Sequence, residues 1–311
     1  MSQFANLPKN TVAYLENFNK APKFYEMEPT QVKEMLEKQP KVEFEMPAIS
    51  AIDDYMISVN NGKIRVRVYS PACSGPFPTV VYFHGGGWVL GAIEANELAN
   101  RQLVLKSSAV VVSVDYRLAP DVTYPVPIDD AETAVKWVLD NKDKLKVNRN
   151  RLYIGGDSAG GNIAIAVVKR LQKQSIKVAG QLLIYPVTNL HFETDSYNRY
   201  AESFGLDKEL MKWFAKHYTA GDYSLYENPE VSPLRGYVSA SPRTIIIAAE
   251  HDVLLDEGAQ YRDKLKKEGI DVIYHLIPGT VHGFYSNVPY FEQETNVVTA
   301  ILADFIGKGS V

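Results

Sequence analysis

The chain has 311 residues, of which 33 are basic and 37 acidic, so its formal net charge is −4. Because no run of Lys or Arg forms a basic stripe, we expect no nucleic-acid partner. Cys73 is the only cysteine, which excludes an internal disulfide and a cysteine-rich zinc site, and no histidine pair has metal-ligand spacing beside a carboxylate. We therefore expect neither a metal nor another cofactor.

The amino-terminal residues contain no basic segment followed by an apolar core, which a secretory signal would have. No stretch of the chain approaches roughly eighteen consecutive apolar residues, the length of a membrane span. We therefore expect a cytoplasmic protein without stable membrane insertion. The sequence does not fix the oligomeric state, and a homodimer is one option.

The first part of the chain alternates helical patterns with prolines. Residues 12–18 and 30–38 predict short amphipathic helices, punctuated by Pro22, Pro29 and Pro40. Residues 57–69 predict two strands around Asn60-Asn61-Gly62, which is a hairpin-turn signal.

A glycine-rich loop, His84-Gly85-Gly86-Gly87-Trp88, follows a predicted strand at residues 79–83. Three consecutive glycines carry a large loss of backbone entropy on folding, so bare backbone must be needed there. Amide groups that face an anion are the evident need. We interpret His84 as a residue that fixes the loop by hydrogen-bonding backbone, because one base suffices for one nucleophile.

The most informative stretch is Gly156-Asp157-Ser158-Ala159-Gly160, which places a serine between glycines. An apolar strand pattern at residues 151–155 precedes it, and an amphipathic helix pattern at 162–173 follows. This strand, turn and helix are the context of a nucleophile elbow, in which Ser158 is pushed toward the substrate. A glycine-rich turn without chemistry is the alternative explanation of so short a match.

An oxyanion hole is expected beside such a serine. In proteins with a nucleophile elbow, the hole combines the amide of the residue after the nucleophile with amides of a glycine loop that follows another strand. The sequence therefore predicts that Gly85, Gly86 and Ala159 form it.

A serine hydroxyl needs a base, and the base needs a carboxylate that orients it. The predicted buried strand at residues 244–249 runs into an acidic loop, in which Asp252 lies just past the strand end. Asp252 is our candidate acid, with Glu250 and Asp256 as rivals that the sequence does not eliminate.

Two histidines follow Ser158 in a strand-rich region and compete for the role of base. His275 lies inside an apolar run at residues 272–277 that predicts a buried strand, where a structural histidine is expected. His282 lies in a loop beyond that strand, where catalytic groups collect in open α/β sheets. We therefore predict His282 as the base.

The order of elements predicts an α/β fold with a mostly parallel sheet covered by helices on both faces. The strand patterns lie at residues 79–83, 109–114, 151–155, 180–184, 244–249 and 272–277. The helix patterns lie at residues 94–106, 129–141, 162–173, 258–268 and 292–306.

Taken together, these motifs resemble the hormone-sensitive-lipase-like branch of the α/β-hydrolases, which includes many bacterial and archaeal carboxylesterases. The family patterns H-G-G-G-W, D-Y-R-L-A-P, G-D-S-A-G-G, D-x-L-x-D-E and H-G-F match, in this order, residues 84–88, 115–120, 156–161, 252–257 and 282–284. The resemblance implies that Ser158, Asp252 and His282 form a catalytic triad.

The resemblance also implies a helical cap over the active site. We assign residues 1–45 to an amino-terminal cap segment and residues 46–311 to a catalytic α/β-hydrolase domain, which carries a cap insertion at about 190–235. That insertion is rich in aromatic residues. The candidates for substrate contact are Trp88, Phe204, Trp213, Phe214 and Phe284.

The predicted function is hydrolysis of small carboxylic esters, with short to medium acyl chains, through an acyl-enzyme. An amidase or peptidase would use the same triad, and a non-catalytic small-molecule receptor would use the same fold. Receptors of this kind typically lose a triad member, and here Ser158, Asp252 and His282 are all present.

Overall fold

The computed structural model describes residues 4–38 and 45–308, and eight strands in these ranges form one sheet. The strand order across the sheet is β1-β2-β4-β3-β5-β6-β7-β8. The strands are β1 (Ala51–Val59), β2 (Gly62–Ser70), β3 (Phe77–Phe83), β4 (Val110–Asp115), β5 (Val147–Asp157), β6 (Gly180–Ile184), β7 (Thr244–His251) and β8 (Val272–Val281). The pairs β1–β2 and β2–β4 are antiparallel and the others are parallel, which confirms the predicted α/β class and the hairpin.

The helices of the described ranges cover both faces of this sheet. They are α1 (Lys9–Phe18), α2 (Pro29–Glu37), α3 (Glu97–Ser107), α4 (Val126–Asp140), α5 (Ala159–Lys173), α6 (Asp195–Arg199), α7 (Lys208–Tyr218), α8 (Leu255–Lys267) and α9 (Val288–Gly307). Alternate residues of a strand point to opposite faces, so Val81 and Phe83 pack with α4 and α5, whereas Val80 and Tyr82 pack with α3 and α9. Each face thus has its own apolar core.

Strand β8 lies at the edge of the sheet and pairs with β7. Its first residues, 272–276, are partly or largely exposed, so the prediction of a buried strand there is wrong. An apolar run does not reveal whether a strand has neighbours on both sides. His275 is partly exposed on this edge strand.

The amino-terminal segment and the insertion after β6 contact each other. The Lys23 ammonium and the Asp207 carboxylate form an ion pair at 2.7 Å, and the Trp213 indole N–H donates to the Met27 carbonyl at 3.1 Å. Helix α1 is also anchored to the sheet, because Leu15 is fully buried in the core on the α9 face. Residues of both segments line one cavity together with Gly85 and Ser158, which lie just past the carboxyl ends of β3 and β5.

Candidate active site

Ser158 lies at a tight turn between β5 and α5. Its φ is 56° and its ψ −120°, a conformation that few non-glycine residues adopt. A Cβ atom on Gly156 would collide with the Gly160 backbone, and one on Gly160 would collide with the Phe83 carbonyl. Only glycine fits at these two positions, and the turn that they allow presents the serine side chain.

His282 connects Ser158 to Asp252. Its Nε2 atom lies 2.9 Å from Ser158 Oγ, and its Nδ1 atom lies 2.7 Å from Asp252 Oδ2. The Leu254 amide donates to the other carboxylate oxygen, Asp252 Oδ1, at 3.0 Å. All three side chains are buried or nearly so, and each follows directly on the carboxyl end of a strand.

The rival carboxylates are engaged elsewhere. Glu250 Oε2 accepts a hydrogen bond from the Gly279 amide at 2.7 Å. Asp256 Oδ2 accepts from the Ser196 amide, also at 2.7 Å. Among the carboxylates of the described ranges, Asp252 is therefore the one that hydrogen-bonds His282.

The glycine loop contains one amide that is bonded within the protein, that of Gly85, which the sequence had assigned to the oxyanion hole. The Gly85 amide donates to Asp157 Oδ1 at 3.1 Å, so it is not available to an oxyanion. The amides of Gly86 and Gly87, by contrast, have no acceptor in the described part of the chain. The Ala159 amide opens helix α5, where the first N–H groups of a helix lack an intrahelical partner. In the described part of the chain, Gly86 and Gly87 thus have free amides in the glycine loop, and Ala159 has one directly after Ser158.

His84 fixes this loop, as predicted. Its ring is fully buried, and Nδ1 lies 2.7 Å from the Gly85 carbonyl oxygen. The ring also stacks on Tyr116 with the centroids 4.4 Å apart, and the Tyr116 hydroxyl donates to the His84 carbonyl. Burial lowers the pKa of His84, which favours the neutral ring.

A cavity of about 430 Å³ opens in front of Ser158 and His282. Its lining combines the glycine loop, the amino-terminal segment and the insertion, and most of its side chains are apolar. The lining residues are Phe18, Phe24, Leu36, Gly85, Gly86, Gly87, Leu90, Gly91, Ala95, Asp157, Ser158, Gly205, Leu206, Leu210, Met211, Phe214, His282, Gly283, Ser286 and Asn287.

Of the aromatic side chains predicted to contact substrate, Phe214 lines this cavity. The other predicted contacts on the glycine loop and α7 do not. Trp88 is fully buried and stacks on Tyr218 with the ring centroids 4.5 Å apart. Trp213 faces the amino-terminal segment, where it hydrogen-bonds Met27. Consecutive residues of a helix point in different directions, which the aromatic content of the insertion did not resolve.

Phe204 and Phe284 also lie outside the cavity lining. Phe204 stacks on the His251 ring with the centroids 6.1 Å apart. Phe284 is fully buried and packs edge to face against Tyr185, 5.5 Å away between centroids. Their contacts in the structure are with the protein core.

A family model described as the alpha/beta hydrolase fold matches residues 80–286. The chain belongs to this family. It is 32% identical over 253 residues to an arylesterase of Saccharolobus solfataricus, covering 81% of this chain and 82% of the relative. It is 37% identical over 228 residues to the carboxylesterase NlhH of Mycobacterium tuberculosis, covering 71% of each chain.

A solved structure supports the same assignment. The carboxylesterase EstE1, cloned from a metagenomic library, superposes on this hydrolase with a TM-score of 0.85 and 36% identity, covering 91% of this chain and 98% of EstE1. The resemblance to the hormone-sensitive-lipase-like branch is thereby confirmed.

The described ranges of the hydrolase show neither a metal-binding cluster nor a membrane-spanning helix. No group of three or more His, Cys, Asp or Glu side chains there is arranged to hold a metal ion. None of the helices in those ranges is long and apolar enough to cross a membrane.

Asp157 is a residue of the candidate site to which the sequence had given no role. Its Oδ1 atom accepts from both the Gly85 amide and the Tyr82 hydroxyl, at 3.1 and 2.9 Å, so it joins the elbow to the glycine loop. Burial raises the pKa of this carboxyl above its usual range. The one signal in the sequence was an acidic residue in an elbow whose other residues, apart from Ser158, are glycine or alanine.

Glu257 is a second buried carboxyl near the site. One of its oxygens accepts from the amides of Thr188 and Asn189, at 2.6 and 3.1 Å. Burial and, to a smaller extent, the nearby Asp252 charge raise the pKa of Glu257 to about 8, against the lowering effect of these two hydrogen bonds. Below about pH 8, the neutral form of the Glu257 carboxyl is therefore favoured in the folded hydrolase.

This raised pKa predicts how the stability of the hydrolase depends on pH. The stability that neutral Glu257 contributes is complete below its ordinary pKa of 4.5 and is lost as the pH rises through about 8. Glu257→Gln keeps an oxygen for both amides and is neutral at every pH. We expect its free energy of unfolding, measured in urea at about pH 5 and pH 8, to fall less over this interval than that of the wild type. An equal fall in both proteins would contradict this assignment.

Proposed function

We propose that the hydrolase is a serine carboxylesterase, with Ser158 as nucleophile, His282 as base and Asp252 as the residue that orients the base. The observation that carries this proposal is the hydrogen-bonded series from Asp252 through His282 to Ser158, at 2.7 and 2.9 Å, in front of a cavity. The esterase names of relatives at 32 and 37% identity support it.

In the first half of the reaction, His282 Nε2 removes the hydroxyl proton of Ser158, and Oγ attacks the acyl carbon of the ester. The tetrahedral intermediate collapses by breaking the bond to the alcohol oxygen, which takes the proton from His282. In the second half, His282 activates a water that attacks the acyl-enzyme, and the acid leaves. The Asp252 carboxylate holds His282 in the tautomer that accepts the serine proton, and it stabilises the imidazolium.

We further propose that Gly86, Gly87 and Ala159 form the oxyanion hole. The amides of Gly86 and Gly87 have no acceptor in the described part of the chain and that of Ala159 opens helix α5, whereas the Gly85 amide is bonded to Asp157. Donors that are fixed before the reaction stabilise the developing negative charge without reorganisation. In this proposal Gly85 anchors the loop to Asp157, which differs from the role that the sequence predicted.

The amino-terminal segment (residues 1–45) and the insertion at about 190–235 are proposed to act together as the cap of the catalytic domain. Phe24 and Leu36 from the first segment and Leu210 and Phe214 from the second line the cavity. A volume of about 430 Å³ and these apolar walls suit esters with short to medium acyl chains. The cytoplasmic location and the homodimer stay predictions from the sequence.

A rate profile over p-nitrophenyl esters from acetyl to palmitoyl tests the activity and the acyl range together. We expect the highest kcat/KM for short to medium chains. A matched series of p-nitroanilides tests the amidase alternative. Faster anilide than ester hydrolysis would contradict the esterase proposal, and no turnover of either series would favour a binding protein.

The cap proposal predicts that Phe24 affects chain-length selectivity. Each Å² of apolar surface removed from water contributes about 25 cal/mol of binding free energy. Losing about 40 Å² of buried surface on a longer acyl chain should therefore raise KM about fivefold. We expect Phe24→Ala to raise KM for the octanoyl ester by this factor and to change KM for the acetyl ester much less. The matched control is Tyr25→Ala, because Tyr25 lies next in the chain but not in the cavity lining. Equal effects of the two variants would contradict the cap proposal.

A further inference from the structure

The cavity has a polar corner that the proposed mechanism does not use. Most of its lining is glycine or apolar side chains. Apart from Ser158 and His282, the polar side chains among its described lining residues are Asp157, Ser286 and Asn287. Asp157 is almost fully buried and bonded to the glycine loop, which leaves Ser286 and Asn287 as the polar groups able to meet a substrate.

These two side chains are held by the turn that follows His282. The amides of Ser286 and Asn287 both donate to the Gly283 carbonyl, at 3.2 and 3.1 Å. The Asn287 side-chain N–H donates to the same carbonyl oxygen at 2.8 Å, and the Ser286 hydroxyl donates to it at 3.2 Å. The Asn287 side chain keeps its oxygen and one N–H without a partner in the described part of the chain, and both side chains are partly exposed.

The chemistry of the reaction says which part of the substrate meets this corner. His282 gives its proton to the oxygen of the departing alcohol, so the alcohol lies beside the His282 ring. Ser286 and Asn287 lie on the turn that begins at His282. The apolar walls from the amino-terminal segment are left for the acyl chain.

We infer that Ser286 and Asn287 form a subsite for the alcohol portion of the substrate, and that it selects alcohols carrying a second hydrogen-bonding group, such as monoesters of diols. This inference rests on the proposed esterase activity and names its substrate class. The free oxygen and N–H of the Asn287 side chain form hydrogen bonds to water before substrate binds. An alkyl alcohol would displace this water without forming hydrogen bonds in its place, whereas the hydroxyl of a hydroxyalkyl alcohol would form them.

The test compares 2-hydroxyethyl butyrate with propyl butyrate, which differ by a hydroxyl in place of a methyl group. Both esters give the same butyryl-enzyme, so its hydrolysis does not distinguish them. The two esters are therefore compared by kcat/KM, which reports on the steps up to formation of the acyl-enzyme. The intrinsic difference in reactivity is removed by dividing the enzymatic ratio by the ratio of the hydroxide-catalysed rates. We expect a corrected ratio of about three to ten in favour of the hydroxyethyl ester, the usual effect of one hydrogen bond.

Asn287→Leu should bring the corrected ratio close to one, and Ser286→Ala should lower it to a smaller extent. Leu36→Ala is the matched control, since it alters an apolar wall of the same cavity and should leave the ratio unchanged. A corrected ratio of one or less in the wild type overturns the inference, whatever the folding of the variants. An unchanged ratio in Asn287→Leu, with normal turnover of the propyl ester, overturns it as well. If the wild type hydrolyses neither ester, the proposed function fails instead.

Discussion

Replacing Ser158 by Ala should lower kcat by on the order of a millionfold, the size of effect found when a serine hydrolase loses its nucleophile. The alkoxide that attacks the ester is formed from the Ser158 hydroxyl, and no other hydroxyl lies at hydrogen-bond distance from His282 in the described ranges. Alanine fits the turn that serine fits, so the fold should persist. The measurement is kcat on p-nitrophenyl butyrate, together with the thermal unfolding midpoint.

A folded Ser158→Ala protein should still bind a slowly reacting ester or a product acid in the cavity. Ser286→Ala is a useful companion, because it removes a serine from the same cavity without removing the proposed nucleophile. Residual activity of more than about a hundredth in Ser158→Ala would rule out Ser158 as the nucleophile.

Asp252→Asn should lower kcat by about ten-thousandfold. The carboxylate accepts from His282 Nδ1 at 2.7 Å, which leaves Nε2 free to accept the serine proton. An asparagine amide placed there would donate to Nδ1, and the ring would then carry its proton on Nε2 and face Ser158 as a donor. The geometry would stay nearly the same, so the loss would be chemical.

Asp256→Asn is the matched control, because Asp256 belongs to the same acidic loop. Its carboxylate accepts from the Ser196 amide at 2.7 Å, and an asparagine oxygen can accept that bond equally well. We expect a far smaller loss of kcat from this variant. If Asp256→Asn proved the more damaging substitution, the carboxylate would have been assigned to the wrong residue.

The parts of the site that the sequence predicted well are those that local chemistry determines. Gly156 and Gly160 surround Ser158 because the turn leaves no space for a side chain, and this requirement is visible in five residues. The sequence correctly placed His282 and Asp252 near Ser158 because each follows a strand, and the strands of a parallel sheet end at the same edge. The sheet and its helices followed from alternating patterns over the whole chain.

The parts that it predicted poorly depend on contacts between distant residues. Whether Gly85 or Gly87 offers a free amide depends on Asp157, which occupies the Gly85 N–H from another strand end. Which of Trp213 and Phe214 faces the cavity depends on how α7 is rotated against the amino-terminal segment. Neither relation leaves a pattern in the sequence near the residue concerned.

The ion pair between Lys23 and Asp207 has a consequence for the order of events during synthesis. The two residues are 184 positions apart, and the helix that carries Leu15 also needs its partners in α9. A ribosome adds roughly 5 to 20 residues per second, so the amino-terminal helices wait on the order of ten seconds or more for these partners. During that time the amino-terminal helices lack the α9 contacts that bury Leu15 in the folded protein, so their apolar faces stay exposed to water.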